Sequence, residues 1–558
     1  MAVRIFSPGT PLPEVEGSLR SGSVEAAGLR ARWLGFIFEL GVAPGQATVT
    51  RYLHALATQT GNFVDRVQAA FGGPGRRLRG QYLLVLEDIE SGHRCAFIDH
   101  AGMFKACVAG ETLSGDYLSL VDHLGQGAKD LDLVGAVEFL NLGHVGERRT
   151  LTQGITHLGH EELLCWTDRG LERLDKGLGG LEEPVPIGLR DYFEGLAASL
   201  ATETVSVDLT GGFDSRLVAA LLHDCGLDFE VSLSGRPENQ DVHLAQEVAK
   251  AMGKPLAVHM HTPQGVETAL TGLFHYLDGH GDLIPYHRIH QWQAAKRDRG
   301  VTVAVSGAGG ENFNDYWWLQ DFPRYGSKTS RLGRLYDLRM CASPVPQGHL
   351  SSEAAMASRQ LRARRLDALE FCRRETNTQT YDCTFTLQRM PILAGRSLTS
   401  TTMNCLPVTA PLLDWDLASL AYQLPIRQRL GRRFHRQWIT KIHPGMARCP
   451  STNRVSTAWS REALLLDPPR YVADLSLRLA NKLSTRFLGK AFLHDSPDHA
   501  ETRSLIRQSK TAEGLVTRCI EAGILAETMD AQRLRLGDLG RVLCIGLLLE
   551  HLDHSRQA

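Results

Sequence analysis

From the N-terminus to about Gly180, short apolar runs alternate with glycine-bearing turns. Gln81-Tyr-Leu-Leu-Val-Leu is followed by the turn Glu90-Ser-Gly and then by Cys95-Ala-Phe-Ile-Asp. Runs of this length bounded by turn residues predict a sheet-rich unit. Residues 130–142 break the rhythm. Leu131, Val134, Val137, Phe139 and Leu140 recur at helical spacing, and Gly143 follows as a C-cap. A Gly/Pro-rich passage over residues 177–188 reads as a linker, which sets a boundary near residue 185.

Past that boundary the period changes. Apolar strands are expected at 205–209, 229–233, 256–260 and 301–306, with amphipathic helices starting near Asp214 and Asp241. Strands alternating with helices predict an α/β unit with a parallel sheet, and ligands of such sheets sit at the carboxyl ends of the strands. The loops after Leu209, Leu233 and Ser306 are therefore the expected site. Beyond about Lys328 the chain reads as mainly helical and Arg-rich, without an internal repeat.

At 558 residues, two domains are expected, 1–185 and 186–558. Hydrophobic residues at 43% and charged residues at 22% give the balance of a globular protein. The most apolar stretch, residues 539–552, is interrupted by Arg541 and Glu550 and predicts a buried helix, so no membrane partner is expected. Acids and bases nearly cancel, 62 against 61, which argues against recruitment of nucleic acid by overall charge. Arg427, Arg429, Arg432, Arg433, His435 and Arg436 form the best local basic patch, with a solvated, neutralised surface as the alternative. Eleven cysteines without a Cys-x-x-Cys pair, and a start that lacks an apolar signal core, lead to an expectation of reduced thiols in the cytoplasm.

The chemistry concentrates in Val205-Ser-Val-Asp-Leu-Thr-Gly-Gly-Phe-Asp-Ser-Arg, a strand that runs into a glycine turn and then a helix. Gly211 and Gly212 permit close backbone approach, and amides together with the helix N-terminus can face one anion. Thr210 and Ser215 can add hydroxyl donors. Asp214 would repel a bare phosphate and makes sense there chiefly as a ligand of Mg2+. The alternative is a Gly-Gly turn with Asp214 as a helix cap. The loop is neither a P-loop nor G-x-G-x-x-G.

The string resembles the pyrophosphate loop Ser-Gly-Gly-x-Asp-Ser of the asparagine synthetase group of N-type ATP pyrophosphatases, with Thr210 in place of the first Ser. The resemblance implies a C-terminal sheet of the adenine nucleotide α-hydrolase type with helical additions, and ATP cleavage between the α and β phosphates. Asp241-Val-His-Leu-Ala-Gln-Glu-Val-Ala is similar to the family's second helix, which implies that the backbone of Ser232, Leu233 and Ser234 receives adenine. Val305-Ser-Gly-Ala-Gly-Gly-Glu-Asn-Phe looks like the family's Ser-Gly-Glu-Gly-Ser-Asp-Glu loop. Gly307 and Gly309 then line the nucleotide, and Glu311 takes the place of the second magnesium carboxylate. Thr409-Ala-Pro-Leu-Leu-Asp-Trp-Asp-Leu resembles a structural marker of the same domain.

Leu78-Arg-Gly-Gln-Tyr, Phe97-Ile-Asp-His-Ala-Gly-Met-Phe and Phe139-Leu-Asn-Leu-Gly-His are similar to the class II amidotransferase domain of that family, an Ntn-type αββα sandwich. Its nucleophile is a Cys after Met, where this chain has Ala2, and the glutamine-holding Asn-Gly-Glu-x-Tyr-Asn string has no counterpart in the apolar Gly35-Phe-Ile-Phe-Glu-Leu-Gly-Val. The resemblance thus implies a structural N-terminal domain, and an amine that comes from the substrate itself.

Relatives with a dead amidotransferase domain include β-lactam synthetases and lasso-peptide macrolactam cyclases. The expected function is an ATP- and Mg2+-dependent ligase that forms AMP and pyrophosphate and closes an intramolecular amide. A peptide or a small amino-acid-derived molecule is the expected substrate, and a leader-peptide protease a possible partner. Ammonia-dependent asparagine synthesis, β-lactam formation and a non-catalytic nucleotide-binding scaffold stand as alternatives. Two departures qualify the resemblance: Ala308 replaces a Glu or Tyr, and Ser451 replaces the family Lys in Arg448-Cys-Pro-Ser-Thr-Asn-Arg. Arg454 is assigned to that cationic role, with Arg448 or Lys441 as substitutes.

Overall fold

The computed structural model describes residues 5–7, 20–73, 75–146, 148–315, 317, 325–328, 331–452, 456–460 and 497–555, with scattered positions between 465 and 484. Ala2 lies outside the described residues.

The N-terminal strands form two antiparallel sheets. Leu29–Glu39 pairs with Leu78–Asp88 over its whole length, from Leu29 opposite Asp88 to Glu39 opposite Leu78, at the heart of a six-stranded sheet. Because side chains alternate along a strand, Leu83 and Val85 point inward to the four-stranded sheet, where they meet Val108 and Leu113. Tyr82, Leu84 and Leu86 point outward beneath the helices Gln46–Ala57 and Phe63–Ala70. Tyr117–His123 and Leu133–Leu142 pack with Cys107 and Ala109 on the far side of the smaller sheet. The layers are thus helix, sheet, sheet, helix, as expected. The helix expected over 130–142 begins later, at Leu133, because the Asp132 side chain caps it by accepting from Val134 N at 3.0 Å. Gly143, with φ 76°, ends it as expected.

The second half is built on a parallel five-stranded sheet in the order Leu256–His259, Glu230–Ser234, Val205–Asp208, Val303–Val305, Val408–Thr409. Four of these were expected. The fifth is two residues long, too short to leave a periodic trace, and holds its place through Thr409 O, which accepts from Ser306 N at 2.8 Å. The helices Asp214–Asp224 and Gln240–Met252 begin where the pattern placed them. The stretch 539–552 lies in the helix Leu536–Ser555, with Leu539, Leu543, Ile545 and Leu548 in the core. No described helix is long and apolar enough to cross a membrane, and all eleven cysteines are free thiols.

The two halves share a core. Phe36 and Phe38, from the long N-terminal strand, pack in one cluster with Val205, Val207, Leu217 and Val231 of the parallel sheet and its helix. Buried Arg79 reaches the carboxylates of Asp416 and Asp414, the latter at 3.6 Å. Burial raises the Asp414 carboxyl to about 6 against the pull of Arg79, and the Asp416 charge beside it adds to the rise. The stretch read as a structural marker thus carries the acids that tie the halves together.

Candidate functional site

The chain lays down Val205–Asp208 first, extends the sheet to one side, then crosses to place Val303–Val305 on the other side. The crevice at the carboxyl ends of these two neighbours is the topological switch point, where open α/β sheets take ligands. Both glycine loops emerge there.

The first loop is stapled by its own side chains. Thr210 N donates to Ser215 Oγ at 3.0 Å, Thr210 Oγ1 lies 3.0 Å from the same oxygen, and Gly212 N donates to Thr210 Oγ1 at 3.2 Å. Gly211 N donates to Asp241 Oδ1 at 3.0 Å, so the second helix holds the turn from below. A side chain at Gly211 would meet Asp241 and Thr452 at 2.7 Å, which makes this glycine a packing requirement. Leu209, fully buried, anchors the loop by donating its N–H to Ser232 O at 2.9 Å. Buried Arg216 ties the loop to the downstream segment, its guanidinium donating to Gly211 O at 3.3 Å and Cys449 O at 2.8 Å. No side chain caps the helix Asp214–Asp224. The amides of Phe213, Asp214 and Ser215 have no protein acceptor among the described residues, and these are the donors left for an anion.

The second loop lies directly against the first. A Cβ at Gly307 would sit 2.6 Å from Ser215 N and Cα, and one at Gly310 would sit 2.3 Å from the Asp214 side chain. Gly309 adopts φ +94°, with Leu412 backbone 2.7 Å from where its Cβ would be. This close passage brings Glu311, in the short turn Gly310–Phe313, to face Asp214. Glu311 Oε2 is buried without a hydrogen-bond partner, and Asp214 Oδ1 is buried with His435 Nε2 2.8 Å away. Burial, then the neighbouring Asp214 charge, pushes the Glu311 carboxyl up to about 7. Burial also acts to raise Asp214, but His435 and Arg432 outweigh it and hold that carboxyl below its usual range. Two carboxylates forced together ask for a cation, and two is the share a protein commonly gives to a magnesium ion that takes its other ligands from phosphate and water. Among the described residues no group of three or more ligating side chains gathers to hold a metal without such help.

The strand Glu230–Ser234 runs beside the loop. Ser232 is buried, its hydroxyl accepting from Ser206 Oγ at 3.1 Å, and Leu233 is core. The Ser234 hydroxyl is buried without a partner at the strand's open end. Of the cationic candidates, Arg454 lies outside the described residues. Arg448 and Lys441 are exposed, and Lys441 lies over the Trp438 ring, 5.3 Å from its centroid.

The basic run proves to be more than a surface patch. Arg429 is buried and paired with Asp382, and Arg436 is buried with its guanidinium 5.4 Å from the Phe213 ring. Arg432 stacks on the same ring at 4.7 Å, and its charge acts on both Asp214 and Glu311. It takes a left-handed backbone, φ 59° and ψ 30°, directly after Gly431, a conformation seldom adopted by a long side chain. His435 is fully buried, its Nε2 2.8 Å from Asp214 Oδ1. Neither Arg432 nor His435 could be singled out from the sequence, since the spacing of a charge run does not reveal which members turn inward.

Comparison with known proteins agrees with the geometry at the level of family. No curated protein matches the chain. The asparagine synthase family model matches residues 197–445, which span all five parallel strands and both glycine loops. Residues 197–445 are therefore similar to the asparagine synthase family, over a little under half of the chain.

Proposed function

We propose that this protein is an ATP-dependent carbon–nitrogen ligase that adenylates a carboxylate and closes an intramolecular amide, in the manner of a macrolactam-forming cyclase acting on a peptide. The observation that carries the reading is the convergence of the Thr210–Ser215 loop and Glu311 at the switch point, with two mutually repelling carboxylates beside an uncapped helix. The Phe213, Asp214 and Ser215 amides hold the departing diphosphate, while Ser232 to Ser234 offer backbone to the adenine. Asp214 and Glu311 hold Mg2+, which when bound offsets the charge that grows as pyrophosphate leaves. Arg432 supplies a further positive charge on the same side.

The substrate carboxylate oxygen attacks the α phosphorus, pyrophosphate departs, and the amine then displaces AMP from the acyl carbon. An amine tethered to the same molecule gains effective molarities of up to roughly 10⁵ to 10⁸ M. An internal amine is favoured by the state of the N-terminal sheet. The stretch Gly35-Phe-Ile-Phe that stands where a glutamine clamp is expected is spent on packing, with Ile37 under the outer helices and Phe36 and Phe38 in the shared core.

Product analysis tests the reading. AMP and pyrophosphate should form only when a suitable peptide is present, and Asp214→Ala should remove both. ADP and phosphate as products would refute it. Pyrophosphate exchange driven by free amino acids, with none driven by peptides, would favour a small substrate.

A further inference from the structure

His435 has no part in the reading above, yet the fold buries it against that site. Its ring is wholly enclosed and meets three phenyl rings edge-on, those of Phe213 at 6.5 Å, Phe313 at 6.4 Å and Phe434 at 6.1 Å. A cage of this kind offers no hydrogen-bond acceptor beyond the weak faces of the rings. The Asp214 carboxylate is the one carboxylate that the imidazole meets among the described residues, Nε2 to Oδ1 at 2.8 Å. Such an imidazole beside a carboxylate has a strong reason to keep it close, because both would otherwise be buried alone.

We propose that His435 is a positioning residue that fixes the rotamer of Asp214, so that one carboxylate oxygen is presented to the divalent cation accompanying the nucleotide. The inference rests on the assignment of Asp214 and Glu311 to a magnesium nucleotide. Asp214 Oδ1 is held on one side by His435, and on the other it presses against Gly310, where a Cβ would lie 2.5 Å away. That oxygen is buried, while 29% of the Asp214 side chain remains open, which leaves Oδ2 as the oxygen turned to the crevice. The left-handed pair Gly431 and Arg432 starts the helix Arg433–Ile442 in the one orientation that puts Phe434, His435, Arg436 and Ile439 on its buried side. Without His435 the carboxylate would be free to turn away from Glu311, which repels it. Partners that orient a metal ligand from behind in this way commonly change metal affinity by about 10- to 100-fold when removed.

The test is Mn2+ binding to the full-length protein with the non-cleavable analogue α,β-methylene ATP, followed by electron paramagnetic resonance, which reads affinity without turnover. His435→Leu and the ring-preserving His435→Phe should each weaken Mn2+ binding by about 10-fold or more. His435→Gln, whose amide N–H can occupy the place of Nε2, should restore most of it. Wild-type affinity in the folded Leu or Phe variant overturns the proposal. So does an equal loss in the Gln variant that tracks its melting temperature, since a purely structural role would show that pattern. Asp214→Asn separates the two levels: if it too binds Mn2+ normally, the assignment of the nucleotide site fails. If it weakens binding while His435→Leu does not, only the role of His435 falls.

Discussion

Glu311 offers the sharpest test of the carboxylate pair. Burial and the Asp214 charge raise its pKa from the usual 4.5 to about 7, so near neutral pH the site carries about half a proton on average. On the proposed reading, binding of a magnesium nucleotide must drive that proton off. The proton release assigned to Glu311 should therefore be about one per nucleotide at roughly pH 5.5, about one half at pH 7, and near zero at about pH 8.5. Below about pH 7, affinity should fall toward tenfold per pH unit. The sign for stability is the reverse of that for an ordinary paired acid. The folded form keeps a proton that the unfolded chain has lost, so without nucleotide this carboxyl stabilises the fold at low pH, and its contribution is lost as pH rises from about 4.5 to about 7. Titration calorimetry in buffers of different ionisation heat, comparing wild type with Glu311→Gln, isolates the effect from protons carried by ATP itself. If the two proteins release the same number of protons at pH 7, Glu311 does not face the metal-bound nucleotide.

Three further outcomes follow from the packing. Arg432→Gly should relieve the left-handed strain and raise stability by about 1 kcal/mol, while the KM for ATP should rise by about tenfold or more as a charge beside the phosphates is lost; an unchanged KM refutes the second part. Gly307→Ala should lower ATP-dependent activity by about 10- to 100-fold, because a Cβ 2.6 Å from Ser215 backbone must push the two loops apart; a crystal structure with unmoved loops would refute the reason. Arg79→Met should lower the melting temperature, since Asp414 and Asp416 would stay buried without their cation at a cost of about 3 to 5 kcal/mol, and Arg79→Met combined with Asp416→Leu should recover part of the loss.

The two loops were legible because their signals are local. An apolar strand running into Thr-Gly-Gly-Phe-Asp-Ser, and another running into Gly-Ala-Gly-Gly-Glu, announce both the element and its end within a dozen residues. Composition and period also separated the antiparallel half from the parallel one. What stayed hidden depends on long-range contact. Val408–Thr409 is a strand only because Val303–Val305 lies beside it. Asp241, Arg216 and His435 look like ordinary helical polar residues until the turn folds onto them. The glycines add something the sequence did not reveal: besides their expected place at a ligand, Gly211 and Gly307 leave room for protein, for Asp241 and Thr452 in one case and for Ser215 in the other.

The two phenylalanines of the strand Leu29–Glu39 that sit among the residues of the parallel sheet bear on any effort to miniaturise the protein. Cut free of its N-terminal partner, the half built on the parallel sheet would bare a greasy seam to water and clump, so a shortened form is not to be had by simple truncation. Tags, fusions or grafted recognition modules belong instead beside the outlying strand Gly170–Asp175, which lies at the opposite edge of its sheet and whose side chains are all at least partly open to water.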